Sequence, residues 1–239
     1  MRLAIMQPYF LPYIGYFQLI NAVDTFVVYD NIQYTKKGWI NRNRFLRNHT
    51  DAVFSVPLKK DSDSLNVEQR EIAESFDTTK LINQFRAAYH KAPCFSQAMP
   101  VIEAIIRHPE TNLFRYIRQS IVAVCEYLNI NTRIIDSSAV SIDHSLKAQD
   151  KVIAICEILG ASVYINPIGG TALYSATTFA DCSLDLRFLK PLPLEYPQFG
   201  EPFVPWLSIL DVMMFNRPEK IREYLAKGCS LIESNEKTN

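Results

Sequence analysis

Two polar stretches near the amino terminus carry side chains suited to recognising a small anionic molecule. The first is Gln7-Pro8-Tyr9-Phe10-Leu11-Pro12-Tyr13-Ile14-Gly15-Tyr16. Its two prolines force a turn, and helical periodicity follows directly. The free N–H groups of a helix start suit a phosphate or carboxylate. Tyr9, Gly15 and Tyr16 are therefore candidate binding residues, with Gly15 allowing close approach of a ligand or backbone. Gln7 is a polar amide at a strand end and needs a partner. The second stretch runs from Asp30 to Arg44 and places Lys36, Lys37, Arg42 and Arg44 among Gln33, Tyr34, Trp39, Asn41 and Asn43. Guanidinium forks match phosphate oxygens, and Trp39 or Tyr34 can stack on a base or sugar. Asp30 is a carboxylate able to bind an amine, a ribose hydroxyl or a metal.

Weaker signals lie further along. Tyr164-Ile165-Asn166-Pro167-Ile168-Gly169-Gly170-Thr171-Ala172-Leu173-Tyr174 follows a strand pattern. Backbone amides at Gly169-Gly170 can cradle an anion, with Asn166 and Tyr174 beside them, although ordinary turn chemistry uses the same residues. Ser137 and Ser138 are similarly placed. Of the four histidines, His90, at a helix end before Lys91-Ala92-Pro93, is the candidate for acid–base work. Asp30, His90 and Gln7 form the catalytic set: Asp30 or His90 to orient or deprotonate an amine, Gln7 with the Gly169-Gly170 amides to meet a developing oxyanion. Ser208 and Asp211 open a helix, where an acidic residue simply complements the dipole. No metal-ligand spacing occurs.

These residues need a scaffold, and hydrophobic patterning supplies one. Residues 2–6 and 25–29 read as buried strands around a helix at 14–22, a βαβ unit that builds parallel sheet. Further strands are expected at 52–58, 132–135, 163–165 and 184–188, with 30–44 as a loop. Helices are expected at 79–89, 97–107, 111–128, 145–159 (closed by Gly160), 207–215 and 218–227, and a frayed tail at 233–239. The class is α/β with a parallel, Rossmann-like sheet. All 239 residues form one domain, with a helical lobe at about 79–128.

Composition narrows the function. Lys and Arg number 25, as do Asp and Glu, so no global field attracts DNA or an anionic membrane. Five dispersed cysteines without a CxxC pair fit a reducing compartment, taken as the cytoplasm. No apolar run approaches a membrane span and no leader peptide is read. A homodimer stays open.

The run IMQPYFLPYIGYFQLINAVDTFVVYDNIQYTKKGWINRNR resembles the amino-terminal signature of the WbqC-like family. The likeness continues through Tyr89–Pro93, Asp136-Ser137-Ser138, Gly160-Ala161, Pro167–Tyr174, Tyr196-Pro197-Gln198 and Leu207–Asp211. It implies a place among bacterial surface-glycan (O-antigen) genes and acyl or aminoacyl transfer onto an amino-sugar nucleotide. The donor is an activated acyl group, ATP-linked or otherwise, with charged tRNA open. The expected rivals are a non-catalytic protein that binds a sugar nucleotide or recruits a partner enzyme, and an ATP-dependent adenylate-forming ligase. A looser similarity is to the nucleotidylyltransferase superfamily, which opens on strand–turn–HxGH–helix. Here Tyr13-Ile14-Gly15-Tyr16 keeps the glycine and replaces both histidines with tyrosine, a donor that stays neutral near pH 7.

Overall fold

The computed structural model describes residues 1–200 and 202–234. The short apolar run Arg2–Met6 is strand β1, and Ile14–Asn21 is helix α1, buried along seven of its eight residues. Thr25–Val28, β-branched and aromatic, is β2, paired in parallel with β1. Arg133–Asp136 forms β5 and pairs in parallel with β2 on its outer side. Val163–Pro167 is β6, on the opposite side of β1. Asp185–Pro191 is β7, parallel to β6. Cys229–Glu233 is β8, antiparallel to β7. The strand order is β5-β2-β1-β6-β7-β8. The expected α/β, mostly parallel Rossmann-like sheet is therefore present.

Alternation along the strands splits the core in two. Leu3, Ile5, Val27, Tyr164, Leu186 and Phe188 face α5 (Ala148–Ile158) and α6 (Ala176–Asp181). Ala4, Phe26, Val28, Ile165 and Leu189 face the larger cluster, which holds α1 and the remaining helices. Those are α2 (Thr78–Tyr89), α3 (Phe95–Ile106), α4 (Leu113–Tyr127), α7 (Ile209–Phe215) and α8 (Pro218–Lys227). The helical block α2–α4 shares this buried cluster with α1, α7 and a β-hairpin.

That hairpin corrects the sequence reading. The stretch taken as loop to Arg44 already enters β3 (Arg42–Arg47), which pairs antiparallel with β4 (Thr50–Ser55) apart from the main sheet. Strand β8 was also unforeseen and runs to Glu233, where a frayed tail was expected; residues 235–239 lie outside the described part. Helix α6 went unread because six residues hold too few turns to show a period. All five cysteines are free, and burial pushes the Cys125 and Cys156 thiols up to about 12. No helix among the described residues is long and apolar enough to cross a membrane.

Candidate functional site

From β1 the chain crosses to β2 on one side, whereas β6 leads to β7 on the other. The connections leaving β1 and β6 diverge, and such divergence opens a crevice beyond the carboxyl ends of parallel strands. The Tyr29 N–H donates to the Met6 carbonyl at 2.8 Å, so the segments after β1 and β2 start side by side.

The 7–13 connection is clamped from two directions. The Phe10 N–H donates to Ile40 O at 2.9 Å, and Asn43 Nδ2 donates to Leu11 O at 2.8 Å. Ser208 Oγ donates to the same Leu11 carbonyl at 2.6 Å, and the Ile209 N–H donates to Pro12 O at 2.8 Å. Asn43 and Ser208 are buried. Together they hold Leu11 at φ 44°, a left-handed conformation costly for a branched side chain. A second bulky residue, Trp206, has φ 60°, and its carbonyl accepts from Arg44 Nη2 at 3.2 Å. Strain of this sort persists only where surrounding structure enforces it, and it concentrates at functional sites.

Between these clamped segments lies a cavity of about 230 Å³ lined by Tyr9, Tyr13, Trp39, Asn43, Arg44 and Trp206, with Pro12 at its base. Trp39 is 45% exposed and Trp206 63%. The Arg42 and Arg44 guanidinium carbons stand 5.2 Å and 5.7 Å from the centre of the Trp39 ring. Tyr13 and Trp206 meet edge to face at 5.8 Å. Arg44 pairs with Asp51 at 3.2 Å and keeps part of its side chain exposed. Gln7 is exposed at the end of β1, and the Tyr9 hydroxyl donates to its Oε1 at 3.1 Å. That bond orients the amide and leaves Nε2 with two hydrogens to donate. Burial, with Tyr13 nearby, raises the Tyr9 phenol above its ordinary value. The structure thus brings Gln7, Tyr9, Trp39 and Asn43 together with Arg44.

Other expected residues are engaged elsewhere. Tyr16 is buried among Tyr9, Phe17 and Phe26, and its hydroxyl donates to Gln7 O at 3.0 Å. Gly15 leaves room for a side chain rather than a ligand: a Cβ there would stand 2.3 Å from the Tyr13 ring. Tyr34 donates to Asn41 Oδ1 at 2.8 Å, and Asn41 donates on to Val56 O at 2.7 Å. Arg42 donates to Gly38 O and Lys37 O, closing its own loop. Gln33 donates to Asp63 O, and Lys36 forms an exposed pair with Asp63 at 2.8 Å. Lys37 is exposed. His90 is the exposed carboxyl-terminal cap of α2, its Nδ1 3.2 Å from Ala87 O, so it serves its own helix.

Asp30, Ser137 and Ser138 do meet, but in a second place. Asp30 is buried and accepts from Ser137 Oγ at 2.6 Å, from the Ser138 N–H at 2.9 Å and from the Ser138 hydroxyl. A carboxylate so surrounded fastens β2 to β5 and is not open to deprotonate an amine. Two neighbours, Lys151 and Glu68, went unread in the sequence. Buried Lys151 donates to Asn31 Oδ1 at 3.2 Å and lies 4.9 Å from the Tyr29 ring centre. Desolvation lowers its pKa, against the pull of Asp30 and Glu68. Glu68 is shifted up by burial and by Asp30. The signal was available: Lys151 occupies the apolar stripe of α5 with Val152, Ile155 and Cys156. A third group gathers at β6. Tyr164 donates to Asn166 Oδ1 at 3.1 Å and lies 3.3 Å from the Tyr174 hydroxyl. Gly170 leaves space for the Asn166 amide, and Gly169 opens to solvent within a short 3₁₀ turn.

A buried knot lies behind the cavity. Asp211, fully buried, accepts from Tyr196 at 2.6 Å, Tyr89 at 2.8 Å and Gln198 Nε2 at 2.8 Å. The Tyr89 hydroxyl also accepts from the Leu46 N–H at 2.7 Å. Burial raises the Asp211 carboxyl, while the three donors pull it back down. The helix-dipole reading of Asp211 understated it: one carboxylate ties α2, the hairpin, the 196–198 segment and α7. No group of acidic, histidine or cysteine side chains among the described residues could hold a metal ion.

A family model described as the WbqC-like protein family matches residues 7–223. An uncharacterized protein of Mycobacterium tuberculosis is 28% identical over 232 residues, covering 94% of this chain and 97% of its own.

Proposed function

This chain belongs to the WbqC-like protein family, and we propose that it is an amide-forming transferase that moves an acyl or aminoacyl group onto an amino-sugar nucleotide for surface-polysaccharide synthesis. The observation that carries the reading is the half-exposed Trp39 ring, crossed by two guanidinium groups at the mouth of the cavity beyond β1. An exposed indole offers a stacking face for a base or sugar ring. Arg44, with Nη1 on Asp51 and Nη2 on the Trp206 carbonyl, keeps further N–H groups to donate to a diphosphate oxygen. Tyr13 and Trp206 wall the bound ligand off from water.

The amine nitrogen attacks the acyl carbonyl. A C–N bond forms, the bond to the donor's leaving group breaks, and the amine proton departs with that group. Negative charge develops on the carbonyl oxygen, and Gln7 Nε2, oriented by Tyr9, is the donor placed to meet it. Holding both reactants against the clamped 7–13 segment supplies proximity. In this reading Asp30 acts through Ser137 and Ser138 as a positioning group.

One observation favours a second reading, a sugar-nucleotide-binding protein without turnover: both carboxylate oxygens of buried Asp30 already accept hydrogen bonds from Ser137 and Ser138. A single experiment separates the two. The protein is incubated with nucleotide-linked amino sugars and, in turn, acyl thioesters, ATP plus free acids, and aminoacyl-tRNA, and products are weighed by mass spectrometry. An acylated sugar nucleotide supports transfer; tight nucleotide-sugar binding with no product from any donor overturns it.

A further inference from the structure

The cavity beyond β1 has a neighbour. Tyr13 and Trp206 form its far wall, and behind them opens a second cavity of about 380 Å³. Ile14, Pro191, Leu194, Phe203, Leu207 and Val212 are among its lining residues. The segment following β7 supplies much of it, which places it beyond the carboxyl end of a parallel strand like the first cavity. Lys190 and Glu195 also line it, one of each sign, so no net charge selects an ionic ligand there. Leu192 stands 43% exposed in the same lining, a large apolar side chain facing water. Small-molecule sites usually span about 300–1,000 Å³ with mostly apolar walls.

We infer that this second cavity holds the aliphatic chain of the acyl donor, and that the protein selects a hydrophobic acyl group over a glycyl one. The inference rests on the transferase reading and names its donor class. The shared Tyr13–Trp206 boundary is the reason: a chain seated among Ile14, Leu194 and Val212 would end its carbonyl at the edge where the two cavities adjoin, within reach of a sugar amine entering from the Trp39 side. Away from Glu195 and Gln18, the walls of Ile, Leu, Phe and Pro offer a charged α-ammonium no partner to offset its lost hydration.

Binding of N-acetylcysteamine thioesters, lengthened by two carbons at a time from acetyl to octanoyl, tests this by calorimetry. Each added methylene should tighten Kd about fourfold, equivalent to about 0.8 kcal/mol, until the cavity is full. Leu194→Trp, which fills the space, should abolish that gain while nucleotide-sugar affinity stays within twofold. Leu192→Asp, at an exposed position that does not threaten folding, should weaken octanoyl binding at least tenfold and acetyl binding little. A Kd that is flat across the series, or a gain that survives both substitutions, overturns the inference. If the gain appears but no donor is ever transferred, the cavity assignment stands and the transferase reading falls. If acetyl or glycyl is transferred and the series is flat, the reverse holds.

Discussion

Replacing Asp211 with alanine should be among the most damaging single changes to this fold, and its pH signature identifies the cause. Three donors, Tyr89, Tyr196 and Gln198, converge on a carboxylate with no exposed surface. Hydrogen bonds to charged acceptors contribute roughly 1.5–3 kcal/mol each. Loss of all three is offset because a buried charge disappears too. Each buried donor left without an acceptor costs roughly 1–3 kcal/mol, so after that offset the expected loss is about 3–5 kcal/mol. For a chain of this size about 1 kcal/mol lowers Tm by roughly 2–4 °C, so the drop should be about 6–20 °C. Asp211→Asn keeps one acceptor oxygen, which can still take the Tyr196 and Gln198 donors, so it should lose less. The sign with pH follows from linkage. The folded carboxyl titrates above its ordinary value of 3.8, so the native state holds the extra proton in that window. The contribution of Asp211 is greatest below the unfolded value and is lost as pH rises through the raised folded one. Urea unfolding between pH 3.5 and 7 should therefore show wild type gaining on Asp211→Asn as pH falls. A difference that stays constant with pH, or an Asp211→Ala loss below about 1 kcal/mol, refutes the account.

Trp39→Ala removes the exposed stacking face and should weaken nucleotide-sugar binding about tenfold, or about 1.4 kcal/mol, by calorimetry, with Tm nearly unchanged. Gly15→Ala drives a methyl group into the Tyr13 ring; displacement of that ring should cost about 1–3 kcal/mol in urea unfolding and reduce nucleotide-sugar affinity. Ala148 begins α5 at φ 47°; Ala148→Gly should stabilise the protein by about 1 kcal/mol, visible as a higher urea midpoint at unchanged slope. Asn43→Ala frees the Leu11 carbonyl clamp, and should cost about 1–3 kcal/mol and lower nucleotide-sugar affinity along with Tm.

The βαβ start was readable because the apolar runs at 2–6 and 25–28 are short, buried on both faces and separated by a helix-period segment. Helix α4 was equally plain, with Leu113, Ile117, Ile121 and Val124 on one stripe. The hairpin hid behind its arginines. In β3 only Asn43, Phe45 and Leu46 are buried, while Arg42, Arg44 and Arg47 keep exposed surface, so composition suggested loop although Arg42–Phe45 alternates between the two. The site was half legible for the same reason. Local chemistry marked Gln7, Tyr9, Trp39 and Asn43 as polar or aromatic residues needing partners. Nothing local could show that Trp206 would complete their cavity, or that Tyr89 and Gln198 would converge on Asp211. Those contacts join residues far apart in the chain, and sequence period says nothing about them. Asp30 misled because its position at a strand end was right while its neighbours, Ser137 and Ser138, saturate it.

Strand β1 lies at the centre of the sheet, between a partner made almost at once and another, β6, made only after more than half of the chain. At about 5–20 residues per second, the ribosome needs on the order of ten seconds to deliver β6. Through that interval the backbone edge of β1 has no native neighbour on one flank. An unpaired edge of this kind recruits any strand that passes. Abundance in the cell should then depend on how quickly translation clears the middle of the message, and slowing codons between β2 and β6 should favour aggregation even though the finished protein is identical.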